Sequence, residues 1–234
     1  MKKQPQRTAP KAGKKSKKPA PKTFRATARI WEPIMPIERG ERYEDPLNRA
    51  LRRAKLGLVE GGGTMLGEDR EIEFVDVEMV VRDVDGVIER VCELLDECGA
   101  PRGSELSFEK DGEQQVVAFG KAEGVAIYLD GVNLPKQVYE STDINVLADK
   151  LTAAMKGKGE IRGSWPGPEE TSFYLYGANA DRLFASIEKV LRTYPLCQNA
   201  RVVIRNGRSS LKPKTVRIKQ AKLAAKKPVK RPRS

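Results

Sequence analysis

The chain has 234 residues and a formal net charge of +12, with 44 Lys and Arg against 32 Asp and Glu. This length suits one large domain or two small ones, and no stretch reaches the roughly 18 apolar residues that cross a membrane. The complete absence of histidine excludes Ser-His-Asp and Cys-His nucleophile systems and zinc sites with His ligands.

Both ends of the chain are basic and contain no acidic residue. Residues 1–23 hold eight Lys and one Arg, and residues 208–234 hold seven Lys and four Arg, so residues 24–207 carry a net charge of −8. Few large apolar side chains occur in either end, and burial therefore cannot offset the entropy cost of folding. We predict disordered basic tails at 1–23 and 208–234 around an acidic globule.

The tails predict an interaction with nucleic acid or another polyanion. Lys and Arg side chains neutralise backbone phosphates and release condensed counterions, which gives binding that is weakened by salt and largely independent of base sequence. The predicted nucleic-acid-binding residues are Lys14, Lys15, Lys17, Lys18, Lys22, Lys212, Lys214, Arg217, Lys219, Lys226, Lys227, Lys230, Arg231 and Arg233.

An internal repeat organises the acidic globule. The helical apolar pattern of residues 87–98 recurs at 183–194, an offset of 96, and that of residues 47–54 recurs at 147–154, an offset of 100. Extended segments flank each helix. Each half is therefore predicted to run strand–helix–strand–strand–helix–strand.

This element order resembles the ferredoxin-like βαββαβ unit. The predicted fold class is α+β, with one repeat at 24–109, a connector at 110–122 in which residues 115–119 suit an extra strand, and a second repeat at 123–207. Helices with a single apolar stripe are expected on one face of an antiparallel sheet. Two arrangements stay open at this level, because the sheets can stack face to face or join at their edges.

One predicted strand, at residues 72–81, places Asp76 and Glu78 side by side on one face. The equivalent face of the second copy has Ser172, Tyr174 and Tyr176, which is not a set of metal ligands. A solvated sheet face is the simpler interpretation. A functional face of this kind would be an acidic protein-binding surface flanked by aromatic side chains rather than a metal site.

A tryptophan in a Trp-Pro-Gly-Pro turn, Trp165, either caps the core locally or projects as a binding anchor. Together with the strand residues it completes the candidate surface for a protein partner. The predicted protein-binding residues are Asp76, Glu78, Trp165, Tyr174 and Tyr176.

The sequence contains no recognisable motif for catalysis or cofactor binding. Residues 61–63, all glycine, lack the Lys-Ser/Thr pair and following helix of a phosphate-binding loop and are typical of a turn or bulge. Cys92, Cys98 and Cys197 form no CxxC pair, and their odd number predicts a reducing, cytoplasmic environment. We predict a non-enzymatic protein without a metal ion or cofactor.

Three functions are compatible with these features. The preferred hypothesis is a protein whose basic tails bind nucleic acid around the acidic globule. The alternative is an immunity-type inhibitor, in which the acidic globule masks a basic protein partner by electrostatic complementarity. A small-ligand regulatory module is the weaker alternative. Residues 24–207 alone would keep the activity under the inhibitor hypothesis and lose it under the nucleic-acid hypothesis.

Overall fold

The computed structural model describes residues 21–206 and 213–219, which form two halves with one antiparallel five-stranded sheet each. The predicted α+β class with antiparallel sheets is confirmed. Predictions for residues 1–20, 207–212 and 220–234 lie outside the described part of the chain. No helix in that described part is long and apolar enough to span a bilayer.

The first half has the strand order β2-β3-β1-β4-β5. Its helices lie in the connections after β1 and β3, and a π-helical turn at Gly40–Glu44 joins the first two helices. The elements are β1 (Thr23–Ile30), α1 (Pro36–Arg39), α2 (Asp45–Ala54), β2 (Gly57–Leu66), β3 (Ile72–Arg82), α3 (Val87–Glu97), β4 (Ser104–Lys110) and β5 (Glu113–Phe119).

The second half has the strand order β10-β9-β6-β8-β7, which places its elements in the same relative positions. In both halves the fifth strand extends the sheet beside the fourth. The elements are β6 (Glu123–Asp130), α4 (Lys136–Ser141), α5 (Ile144–Met155), β7 (Gly159–Pro166), β8 (Glu170–Gly177), α6 (Ala180–Thr193), a 3-10 turn (Pro195–Cys197), β9 (Arg201–Arg205) and β10 (Lys214–Arg217).

The helices form where the sequence supplies an apolar stripe and a cap. In the second half, the Asp143 side chain accepts the Asn145 N–H at 2.7 Å and begins α5, and Asn179 accepts the Arg182 N–H at 2.9 Å and begins α6. Each stripe packs on one face of its sheet and produces a separate core in each half. The triple glycine lies in β2 beside a register shift, as expected for a bulge.

The structure differs from the sequence prediction at the start of the C-terminal tail. Residues 214–217, predicted to be disordered, form β10 and pair antiparallel with β9. Two apolar side chains explain this strand: Val216 packs against the second core, and Ile218 is only 2 % exposed. The Ile218 N–H also donates to the Ala200 carbonyl at 2.8 Å. The basic composition of the tail conceals this short apolar pattern.

The two halves meet in neither of the two arrangements that the sequence left open. The sheets remain separate, and the helix-free face of the second sheet is covered by loops of the first half rather than by its sheet. This covered face, which we call the tyrosine face, consists of Tyr128, Tyr174 and Tyr176. Glu71 lies above it and accepts hydrogen bonds from the Tyr128 and Tyr174 hydroxyls at 3.0 and 2.7 Å.

A buried polar cluster also joins the halves. The Glu32 carboxylate, 1 % exposed, accepts a hydrogen bond from the Tyr43 hydroxyl and lies 3.6 Å from the Arg162 guanidinium of the second half. Arg162 also donates to the Gly99 carbonyl at 2.7 Å, and its guanidinium lies 4.9 Å from the centre of the Tyr176 ring. Burial raises the pKa of Glu32, and the Arg162 charge opposes that rise.

Candidate nucleic-acid interface

Three arginines lie on the helix-free side of the second sheet, next to the β2–β3 turn of the first half. Residues alternate across a strand, so Arg201 and Arg205 of β9 project from the helix-free side. Arg217 is paired with Arg201 in the register and therefore shares that side. We call these three residues the arginine face. Neither Arg205 nor Arg217 has an ion pair with any residue that the structure describes.

Two of these arginines are held in place by Tyr128. The Arg201 guanidinium stacks 3.8 Å from the ring centre, and Arg205 donates to the hydroxyl at 3.1 Å. Arg201 also donates to Glu170 at 2.5 Å. Burial raises the pKa of Tyr128 to about 12, so its hydroxyl stays protonated at neutral pH. Tyr128 therefore fixes the positions of both guanidinium groups on this side of the sheet.

A cleft of about 380 Å³ opens next to the arginine face, between the second sheet and the β2–β3 turn. Trp165 and Tyr128 supply its aromatic surface, and Arg201 and Arg217 supply positive charge. We call the five carboxylates in its wall the cleft carboxylates; they are Asp69, Glu71, Asp130, Glu169 and Glu170. The cleft is therefore net acidic although one side of it is formed by arginines.

Few of the predicted nucleic-acid-binding residues fall within the described chain. Lys22, Arg217 and Lys219 are exposed, and Lys214 is exposed but forms an ion pair with Asp181 at 3.4 Å on the helix side of the sheet. The others, Lys14, Lys15, Lys17, Lys18, Lys212, Lys226, Lys227, Lys230, Arg231 and Arg233, lie outside the described residues.

Sequence analysis missed Arg201 and Arg205 because it assigned the binding charge to the tails alone. The signal was present in the Arg-Val-Val-Ile-Arg pattern of β9, in which alternate positions bring both arginines to one face. Their exposure, however, depends on where the first half ends, and a local pattern does not contain that information.

The candidate protein-binding residues do not form a single surface. Asp76 accepts two hydrogen bonds from Arg29, at 3.0 and 3.1 Å, whereas Glu78 is exposed on the same sheet face of the first half. Tyr174 and Tyr176 are 2 % and 4 % exposed. The expectation of exposed tyrosines is therefore corrected, because loops of the first half cover them.

Trp165, the remaining candidate, is half-buried and lines the cleft instead of flanking the acidic strand.

Burial raises the pKa of the Cys92 thiol to about 11 and that of the Cys197 thiol to about 12, which keeps both thiols protonated at neutral pH. Within residues 21–206 and 213–219, no group of three or more Cys, Asp or Glu side chains is arranged to hold a metal ion.

No family model and no curated protein matches the sequence. Among solved structures, an unknown protein from Galdieria sulphuraria is 10 % identical with a TM-score of 0.23, covering 78 % of this chain and 96 % of that one. A putative monooxygenase from Lactobacillus acidophilus is 12 % identical with a TM-score of 0.28, covering 83 % and 99 %. The first two RRM domains of yeast poly(U)-binding protein are 8 % identical with a TM-score of 0.21, covering 76 % and 98 %. Similarity this low does not bear on the function of this chain.

Proposed function

We propose that this protein binds nucleic acid without catalysing a reaction, through its basic ends and the arginine face of its second half. The observation that carries the proposal is the position of β10. This strand, which lies within the acid-free segment 208–234, brings Arg217 onto the same side as Arg201 and Arg205. Arg217 thus connects the arginines of the folded sheet, along the chain, to the basic C-terminal segment.

The fold class proposed with this function is a duplicated ferredoxin-like unit. Both sheets have the strand order expected of the βαββαβ arrangement, each extended by one strand. The two copies differ in what covers their helix-free faces. In the second copy, loops of the first half cover the tyrosine face, and the three arginines lie beside it.

Electrostatic contact with phosphates explains how such a surface would act. Arginine forms paired hydrogen bonds with phosphate oxygens, and each neutralised phosphate releases counterions from the polyanion. Because the contacts are to the backbone, binding should depend strongly on salt and weakly on base sequence. A cytoplasmic location is part of this proposal.

The proposal is tested by measuring the affinity of the full chain for a fluorescent single-stranded RNA 20-mer at several salt concentrations. Replacing Arg205 and Arg217 by glutamine should lower the slope of log affinity against log salt by about 1.4, since each phosphate contact on a single strand contributes about 0.7. The matched control replaces Arg53 and Arg182, two exposed helix arginines, and removes the same charge.

Equal slopes for these two double variants would contradict a role for the arginine face. Binding that survives substitution of all tail lysines and arginines by glutamine would contradict the role of the tails. A basic protein retained in stoichiometric amount by the tail-substituted chain, with no nucleic acid bound, would favour the inhibitor alternative instead.

A further inference from the structure

We propose that residues 220–234 dock into the cleft beside Trp165 when no nucleic acid is bound. In this arrangement, basic side chains of the C-terminal segment contact the cleft carboxylates. It deepens the proposed function, because the docked segment would cover two of the three arginines that nucleic acid is proposed to contact. Two observations identify the C-terminal segment as the occupant of the cleft: the described chain ends close to it, and the segment and the cleft carry opposite charges.

The described chain ends two residues after Arg217, which lines the cleft. The Ile218 N–H donates to the carbonyl of Ala200, whose neighbours Asn199 and Arg201 both line the cleft. Residue 220 follows the cleft-lining Arg217 by three residues, and the Lys219 carbonyl just before it accepts a hydrogen bond from Arg192 of α6 at 3.5 Å. The fifteen residues from 220 to 234 could span up to about 50 Å when extended, so no point of the cleft is out of reach.

The charges of the two partners are complementary. Residues 220–234 contain four Lys and two Arg and no acidic residue. The cleft has five carboxylates against two arginines, and Asp69 and Glu169 are both exposed. The half-buried ring of Trp165 supplies apolar surface suited to the stems of long basic side chains and to cation–π contact.

The internal contacts of the cleft leave part of its charge unmatched. Glu170 is paired with Arg201, Glu71 accepts from two tyrosine hydroxyls, and Asp130 accepts the N–H groups of residues 132 and 133. Asp69 accepts one N–H, from Glu71. Asp69 and Glu169 have no ion pair within the described chain.

The N-terminal segment is a poorer occupant because it leaves from the other end of the first sheet. The Asp83 N–H donates to the Lys22 carbonyl at the end of β3, whereas the cleft lies beside the turn that precedes β3. The eleven residues of that strand separate the two points by about 35 Å. The C-terminal segment, in contrast, starts three residues after the cleft-lining Arg217 and so has the higher local concentration.

Docking would place the tail and nucleic acid in competition. Arg201 and Arg217 line the cleft and also belong to the arginine face, so a tail seated in the cleft screens both. Nucleic acid would have to displace the tail before both arginines became available. Neutralising the cleft should therefore strengthen nucleic-acid binding more in a chain with a basic tail than in a chain without one.

Zero-length carbodiimide cross-linking of the full chain at low salt, without nucleic acid, tests docking directly. Amide bonds between tail lysines and Asp69 or Glu169 are expected at several times the yield found for Glu109 and Glu113, two exposed carboxylates on the β4–β5 hairpin. A 1:1 mixture of light and heavy isotope-labelled protein should give links within one molecule. Equal yields at all four carboxylates, or links mainly between light and heavy copies, would overturn the proposal.

A variant cycle with single-stranded RNA tests the competition. Asp69→Asn with Glu169→Gln should raise affinity about fivefold in the native chain. The rise should be less than twofold when all six basic residues of 220–234 are glutamine. A rise of equal size in both backgrounds would mean simple repulsion by the cleft and would overturn the proposal. Because cross-linking needs no nucleic acid, it decides on docking even if the proposed function fails.

Discussion

Replacing Arg162 by methionine should show how strongly the buried cluster holds the two halves together. Methionine keeps most of the apolar stem but removes the guanidinium, which is 8 % exposed and faces the buried Glu32 carboxylate. Breaking a buried ion pair costs about 3–5 kcal/mol. The Gly99 carbonyl also loses a hydrogen bond, so we expect the free energy of unfolding to fall by about 4 kcal/mol.

Urea unfolding of the full chain measures this loss, and two further variants locate its origin. Glu32→Gln in the Arg162→Met background removes the uncompensated buried charge and should restore about half of the lost stability. Arg42→Met is the matched control, because Arg42 forms a more exposed pair with Glu160 and should cost less than about 1 kcal/mol.

The cost should also depend on pH. Burial raises the pKa of Glu32, and loss of the Arg162 charge raises it further. Because the folded-state pKa lies above the unfolded value, the penalty is present above the folded pKa and disappears as pH falls toward the unfolded value. The difference between variant and native protein should therefore shrink between pH 7.5 and pH 5. A difference below about 1 kcal/mol, or one that is constant over this range, would refute the reasoning.

Two other predictions concern the backbone and the thiols. Gly120→Ala should lower the free energy of unfolding by at least about 3 kcal/mol, because φ is +94° and an added Cβ would lie 1.8 Å from the Pro101 carbonyl oxygen. The control, Gly112→Ala, has φ +82° but open space around the added Cβ, and it should lower the free energy of unfolding by about 1 kcal/mol. Urea midpoints compare the pair, and similar costs would contradict the steric argument. Burial raises the pKa of both the Cys92 and the Cys197 thiol, so little reactive thiolate is present at pH 8. Both thiols should therefore react with a disulfide reagent at least about 100-fold more slowly in the native protein than in urea. Equal rates in the two conditions would contradict their burial.

The elements of each half could be predicted from sequence because their signals are local. The apolar stripes at 87–98 and 183–194 place one face of each helix on a sheet whatever the rest of the molecule does. Strand alternation likewise assigned Tyr174 and Tyr176 to one face correctly. It could not show that another part of the chain covers that face, since burial there depends on residues more than 100 positions away.

The candidate interface was only partly predictable for the same reason. Arg217 was identified from composition, but its alignment with Arg201 depends on the register between β9 and β10. That register is set by Val216 and Ile218, two apolar residues in a segment whose average composition predicts disorder. The average composition of a segment therefore does not reveal a four-residue strand within it.

The contact between the two halves is a head-to-tail one, in which each unit contributes a different surface. Such contacts leave one surface of each kind unused at the two ends of a series, and they form filaments when successive copies fit. In the first half, the corresponding helix-free sheet face carries Arg29, Asp76 and Glu78. That face is charged where its counterpart is built from tyrosines. The helix-free face of the first half therefore does not repeat the tyrosine surface on which the two halves meet.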